Sequence, residues 1–460
     1  MSYASIKNIM IVRGLSPSCD GCLKKGDGMK KIALFSVCSI VVANMIGAGV
    51  FTSLGFQTQV ISSPFSLVFL WVVGGLIALC GALSYGELAS SMPHSGGEYF
   101  YLSKIYHPIL GFLSGWTSST VAFAAPIALA LRLSSEYVCY IFSSLNPLWL
   151  SVILSVLLTL IHMSGLKFGS LFQNISTGLK IFLILAFIVF GFLHGPPMGH
   201  SLSFLPREDD LNIILSSNFA VSLVFVMYAY SGWNASIYIA DEIQNPKRTI
   251  PFSLFSSTLF VMILYVLINT VILLTVPMEN LKGALEVAFL SADVIFGVLG
   301  SQFMSILLAI TLISSASSMV WTGPRVTQEM SKKIRSLRIF CSYKDNRPPL
   351  KGLCLQLLIT LIMLFTSSFK QILTYIGFIV TLFSFLAVLG VFIYRYRFGK
   401  IKESCTTFAY HITPLIFLFG SGWMMFYLCL YETKETLLGV LTLCIGGVFY
   451  FFSQRNRKLK

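Results

Sequence analysis

Charged residues are scarce in this sequence. Only 11% of its 460 residues are Asp, Glu, Lys or Arg, against about a quarter in an ordinary soluble domain. That deficit excludes a water-soluble globular fold. Acidic side chains are the rarer sign, 18 against 32 basic ones, and there are six histidines. No titratable pair or metal-ligating cluster stands at one depth of an apolar run, so the sequence offers no enzyme constellation, no metal site and no cofactor site. Gly47-x-Gly49 lacks the strand, the phosphate-binding lysine and the soluble domain of a nucleotide loop. Of ten cysteines, most, such as Cys38, Cys80 and Cys354, lie in apolar runs and read as small buried hydrophobes. Cys19-x-x-Cys22 is a lone pair in a polar tail, short of the ligands a metal needs. No cleavable leader is expected either. Met29-Lys30-Lys31 and the apolar run 32–43 imitate one, but the run continues past Gly49 with no cleavage site and reads as a first transmembrane helix.

What the sequence has is apolar length. Hydrophobic residues make up 56%, 39 residues are Phe, and the mean hydropathy is +0.81. The class is an all-α integral membrane protein. A span needs about 20 apolar residues, and twelve runs qualify: 32–60, 64–90, 108–133, 148–164, 175–195, 212–240, 252–276, 299–323, 352–368, 371–394, 408–430 and 436–453. With the N-terminus in the cytoplasm, these spans put 26 of the 32 Lys and Arg on the cytoplasmic side, five outside and Lys180 within a span. The positive-inside rule supports that orientation, with both termini cytoplasmic. The net charge of +14 is therefore a topology signal rather than a nucleic-acid patch.

Two of the runs are interrupted. Asn44-Met45-Ile46-Gly47-Ala48-Gly49-Val50-Phe51-Thr52 puts two glycines in the first span, and Tyr228-Ala229-Tyr230-Ser231-Gly232-Trp233-Asn234 interrupts the sixth. Glycine weakens a helix by about 1 kcal/mol against alanine. Non-helical backbone survives at membrane depth only around a cavity or ligand. A glycine packing notch between helices is the plainer explanation of either stretch alone. Taken together they fall 185 residues apart, Gly47 to Gly232, and each opens a set of five spans. Five is odd, so the second set is inverted relative to the first, the pattern of inverted repeats with broken helices and a midplane site. Half-helix N-termini suit a carboxylate, and unwound carbonyls suit an ammonium. An α-amino acid is the natural ligand class.

Lys180, inside the fifth span, costs about 3 kcal/mol on insertion scales. It either faces a cavity or cation site or snorkels to the cytoplasmic surface. Glu87 and Glu242 end the second and sixth spans, as solvated helix ends or as gating ion pairs. The hydroxyls of Ser314, Ser315, Ser317 and Ser318 either ligate sodium or pack closely. His162 and His194 read as loop-edge residues.

These motifs resemble the amino acid–polyamine–organocation (APC) superfamily of permeases. Ile46-Gly47-Ala48-Gly49-Val50-Phe51 is similar to the family's Gly-Ser-Gly-Ile-Phe element. Gly81-Ala82-Leu83-Ser84-Tyr85-Gly86-Glu87-Leu88 and Pro93-His94-Ser95-Gly96-Gly97-Glu98-Tyr99 resemble its second span and following loop. Ala229-Tyr230-Ser231-Gly232-Trp233-Asn234, Glu242-x-x-Asn245-Pro246 and Thr322-Gly323-Pro324-Arg325 resemble its sixth span, that span's exit and the end of its eighth. The likeness covers about residues 30–395 and, more loosely, up to 453. It is specific for the family and poorly specific for the substrate.

The resemblance implies a leucine-transporter-type 5+5 inverted repeat with helices 1 and 6 broken and two further helices. The expected layout is a cytoplasmic tail at 1–28, repeats at 29–195 and 212–395 joined by an outer loop at 196–211, and two added helices with a basic tail at 396–460. Substrate binding is expected at Ile46, Gly47, Ala48, Gly49, Ala229, Tyr230, Ser231 and Gly232, gating at Tyr228 and Trp233, and coupling at Lys180. Lys180 matches a fifth-span lysine that lies where sodium sits in sodium-driven relatives, which favours protons or exchange. Ala48 replaces a frequent serine. The implied protein is a proton-coupled or exchanging amino acid transporter of the bacterial inner membrane, partnered by its substrate and the bilayer. A polyamine or cationic amino acid antiporter and a nontransporting amino acid sensor are the alternatives. The Tyr-Ser-Gly-Trp-Asn form is similar to that of large-neutral exchangers that use a partner chain, and nothing in this sequence indicates one.

Overall fold

The structure is a computed structural model that describes residues 31–196, 204–284, 286–341, 348–366, 369–399, 407–431 and 433–458. The 1–28 tail with Cys19 and Cys22, and part of the 196–211 loop, lie outside the described residues. The described chain is all-helical: α1 Leu34–Met45, α2 Gly49–Val60, α3 Pro64–Ser91, α4 Glu98–Ile105, α5 Pro108–Thr117, α6 Ala124–Ile141, α7 Pro147–Met163, α8 Leu166–His194, α9 Ser217–Ala229, α10 Pro246–Thr275, α11 Val287–Phe296, α12 Gly300–Ser331, α13 Leu350–Thr366, α14 Phe369–Phe398, α15 Thr413–Tyr431 and α16 Thr433–Lys458. Among the described residues the β pairing is confined to one isolated bridge between Ile32 and Ile243.

Proline and a capping side chain start several of these helices. Pro64, Pro108, Pro147 and Pro246 open α3, α5, α7 and α10, where a missing N–H costs nothing and the fixed φ suits the first turn. Ser63 caps α3 through the Ser66 amide at 3.3 Å, and Asn146 caps α7 through the Leu148 amide at 2.9 Å. Each supplies an acceptor to a donor the helix cannot satisfy itself.

Among the described residues nine helical stretches, single helices or runs of adjoining ones, are long and apolar enough to cross a membrane. The chain is an integral membrane protein. Three of the twelve expected spans form shorter helices, α7, α9 and α13. α9 is short because the sixth span stops helical winding at its break. α7 and α13 have 17 residues each, which at 1.5 Å per residue is about 25 Å, less than a hydrocarbon core. The third span, expected to be continuous, relaxes into a π-helical turn at Ser118–Ala122 before α6.

α1 occupies the middle of the bundle, against α8, α10 and α12. α3 runs along α10, α6 runs along α12, and α2 packs on α9. The core is therefore built around the two interrupted spans. Large apolar residues such as Phe182 and Phe190 on α8, Phe419 on α15 and Phe451 on α16 are exposed on the outside of the bundle. That arrangement agrees with the phenylalanine-rich composition.

Candidate functional site: two broken helices back to back

The first interruption is three residues long. α1 ends at Met45, Ile46 turns to extended backbone with φ −78° and ψ 99°, and α2 starts at Gly49. The second is longer. α9 ends at Ala229, residues 230–234 form turns, and a 3-10 segment, Ala235–Glu242, leads out. The two breaks touch. A Cβ on Gly49 would lie 3.2 Å from the Ala229 Cβ. The Asn44 carboxamide donates to the Gly232 carbonyl at 3.1 Å. Gly232 holds φ at +94°, and a Cβ there would stand 2.8 Å from Asn44, so only glycine fits. A Cβ on Gly47, by contrast, would meet nothing within 4 Å.

Ending a helix in an apolar interior leaves backbone groups that need partners. Side chains supply them on the carbonyl side. The Lys180 ammonium donates to the Ala43 carbonyl at 3.1 Å, the Ile46 carbonyl at 2.8 Å and the Ser315 hydroxyl at 3.1 Å. Ser315 lies within 2.8 Å of Ala43 O and 2.6 Å of Ile46 O, and its single proton serves one of them at a time. The Tyr265 hydroxyl stands 2.8 Å from Met45 O and 3.0 Å from Ala229 O. One phenol thus bridges the last carbonyls of both broken helices. On the opposite side, the amides of Gly47 to Val50 point from the start of α2 with no partner among the described residues.

Lys180 is fully buried, so it does not snorkel to the surface. It stands where three oxygens would hold a monovalent cation. The neighbouring hydroxyls are also engaged: Ser314 with Thr177 at 3.3 Å, Ser317 with His162 at 2.9 Å and Ser318 with the Ile40 carbonyl at 2.9 Å.

Ile46, Gly47, Ala48, Gly49, Ala229, Tyr230, Ser231 and Gly232 are brought to one place at the bundle centre. Within that set, Tyr230 is buried, its hydroxyl donating to the Trp71 carbonyl at 3.0 Å and its ring 4.9 Å from Tyr265. Tyr228 is half-buried in the last turn of α9. Trp233 points into an aromatic cluster, edge-on to Tyr85 at 4.7 Å and to Phe417 at 5.8 Å.

Both span-end glutamates are ion-paired rather than solvated. Glu87 takes a bidentate hold from Arg395, at 2.5 and 2.6 Å, and two hydrogen bonds from Thr407. Glu242 accepts from Arg325 at 2.9 Å and from the Trp321 indole at 2.9 Å. His162, expected at a loop edge, is buried beside Trp321 instead. α7 turns its polar residues inward, so a histidine near its end still reaches Ser317 on α12.

Sequence reading assigned no role to Tyr265 or Asn44. A signal for Tyr265 existed: Tyr265 and Asn269 are polar residues four apart in an otherwise apolar run, hence on one helix face. The Asn269 carboxamide does donate to the Tyr265 carbonyl, at 2.8 Å.

A family model described as "Amino acid permease" matches residues 32–450. The chain belongs to that family. Over 441 residues it is 25% identical to the serine/threonine exchanger of Bacillus subtilis, a match covering 94% of this permease and 98% of that protein. It is 26% identical to the human large neutral amino acids transporter small subunit 2, over 92% of this chain and 80% of the human one. It is also 26% identical to the mouse b(0,+)-type amino acid transporter 1, over 93% and 89%.

Proposed function

We propose that this permease is a secondary transporter that moves neutral amino acids by alternating access, as an exchanger or coupled to protons. The observation that carries the reading is the apposition of the two breaks, with a bare run of amides at Gly47–Val50 on one and a cluster of carbonyls at Ala229–Gly232 on the other. The start of α2 attracts a carboxylate through its dipole and free N–H groups. The Ala229 carbonyl holds one donor, Tyr265, and keeps a second lone pair for an ammonium, whereas Gly232 O already accepts from Asn44 and from the Ala235 amide. Open space beside Gly47 gives the ligand room. Among the described residues the one charged group hydrogen-bonded to the break segments 43–49 and 228–232 is Lys180, which favours a neutral substrate over a polyamine. The names of the relatives, a serine/threonine exchanger and a large neutral amino acids transporter, point the same way.

In this reading the nine long and three shorter apolar helices make twelve spans. Residues 29–195 and 212–395 are inverted five-helix repeats joined by the 196–211 loop, and 396–460 adds two helices. Both termini are cytoplasmic and the membrane is a bacterial inner membrane. Tyr228 closes over the substrate, and Trp233 anchors the moving segment. Lys180 fills a cation position permanently, so the transport cycle needs no sodium.

The experiment is uptake of a labelled amino acid mixture by purified protein in liposomes, with and without a pH gradient, and with empty or amino acid-loaded vesicles. Uptake confined to loaded vesicles identifies an exchanger. Gradient-driven uptake into empty vesicles identifies a proton symporter. Ligand binding without flux under any condition contradicts transport and leaves a sensor.

A further inference from the structure

The loop between α3 and α4 grips the far side of the second break. The Gly96 amide donates to the Tyr238 carbonyl at 3.3 Å. Ser95 and Asp241 exchange two hydrogen bonds, Ser95 N–H to Asp241 Oδ2 at 3.3 Å and Asp241 N–H to Ser95 Oγ at 2.9 Å. Gly97 holds φ at +56°, and a Cβ there would run into the Tyr238 ring at 2.3 Å. The loop therefore lies flat on the 3-10 segment, and it turns the next residue, Glu98, into the protein.

Glu98 is 4% exposed. Its Oε1 accepts from the Asn234 carboxamide at 2.6 Å and from the Tyr85 hydroxyl at 2.9 Å. Asn234 also donates to the Tyr238 hydroxyl at 3.2 Å. Among the described residues no Lys, Arg or His pairs with Glu98. A carboxylate taken out of water without a cation depends wholly on its hydrogen-bond donors, helped here by its place in the first turn of α4. One of those donors, Asn234, belongs to the segment that the helix break separates from the rest of the sixth span, and the other, Tyr85, comes from α3. Asn234 is two residues beyond Gly232, and Tyr85 supports Trp233 edge-on.

We propose that Glu98 is a positioning residue of the substrate site: by holding Asn234 it sets where the Ala229–Gly232 carbonyls stand. The proposal rests on the transport reading above. It adds a fixed point, at the start of α4, against which the second break is placed. Glu98 touches no substrate and acts through Asn234.

The test uses full-length protein and the variants Glu98→Ala, Glu98→Gln, Asn234→Ala and the double Glu98→Ala/Asn234→Ala. Two readouts are taken: hydrogen exchange of residues 230–242 without substrate, and KM and turnover per inserted molecule in liposomes. Glu98→Ala is expected to speed exchange of that segment and to raise KM, each about tenfold, with a smaller change in turnover. Glu98→Gln keeps an acceptor oxygen for Asn234 and Tyr85 and is expected to stay within about threefold of the parent on both. The double variant should be no worse than Glu98→Ala, because the two residues act as one link. Unchanged exchange and KM in Glu98→Ala, or a Glu98→Gln as impaired as the alanine, overturns the proposal. If Glu98→Ala does not fold, Asn234→Ala decides it, since a segment that stays protected without Asn234 is not held by this link. If the parent protein transports nothing, the transport reading fails, while the exchange measurement still decides the position of the segment.

Discussion

Each of the two breaks contains a glycine, and the two glycines do different work. Gly232 is confined: φ is +94° and Asn44 lies where a side chain would go. Its task is internal, to let the chain turn and to bring two segments into contact. Gly47 is unconfined, with open space where a Cβ would project. The surrounding protein makes no demand for glycine there, and the proposed substrate is what would require it. Glycines that look alike in sequence thus separate into one confined by the backbone and one with open space beside it.

Gly47→Leu should sharpen that contrast most. The side chain enters the open space, so the protein is expected to fold and insert while amino acid binding falls by about 100-fold or more, the scale of filling a preformed site. Equilibrium binding on protein matched for thermal stability checks it; normal affinity removes Gly47 from the site. Lys180→Ala comes next. It takes the cation from the Ala43 and Ile46 carbonyls, and transport per inserted molecule should drop about tenfold or more, in line with loss of charge-assisted hydrogen bonds in a dry interior. A variant with the parent rate and pH dependence excludes Lys180 from the mechanism.

Gly232→Ala probes the other side of the comparison. The left-handed backbone and the Asn44 contact should lower stability by about 1–3 kcal/mol, read as a fall in melting temperature, whereas Gly47→Ala should leave stability almost unchanged. Equal losses at both positions would erase the distinction between the breaks. Tyr265→Phe removes the hydroxyl shared by Met45 O and Ala229 O, and about 1 kcal/mol of stability with a few-fold rise in KM is expected. Gly49→Ala is expected to be the mildest. Its Cβ would meet Ala229 at 3.2 Å, a gap that a few tenths of an ångström of movement relieves.

The parts of this arrangement that sequence reveals are those with a local signature. Apolar runs mark the spans, the Gly47 and Gly49 pair and the Tyr230-Ser231-Gly232 stretch mark the interruptions, and a lysine in an apolar helix marks itself because its insertion is costly. Long-range partners leave no such mark. Nothing near Tyr265 in the chain indicates that it would bridge carbonyls 220 and 36 residues away. Glu98 lies in a motif legible as a family likeness, yet its bond to Asn234 spans 136 residues. His162 misled for the same reason: its place near a helix end suggested exposure, and burial against Trp321 and Ser317 came from how α7 rotates.

The most direct test of the account is a structure of the permease with a transported amino acid bound. The α-carboxylate is expected on the Gly47, Ala48 and Gly49 amides and the α-ammonium against the Ala229–Gly232 carbonyls, with the side chain in the space beside Gly47. A ligand held elsewhere in the bundle, or with its two charged groups reversed, would contradict the account.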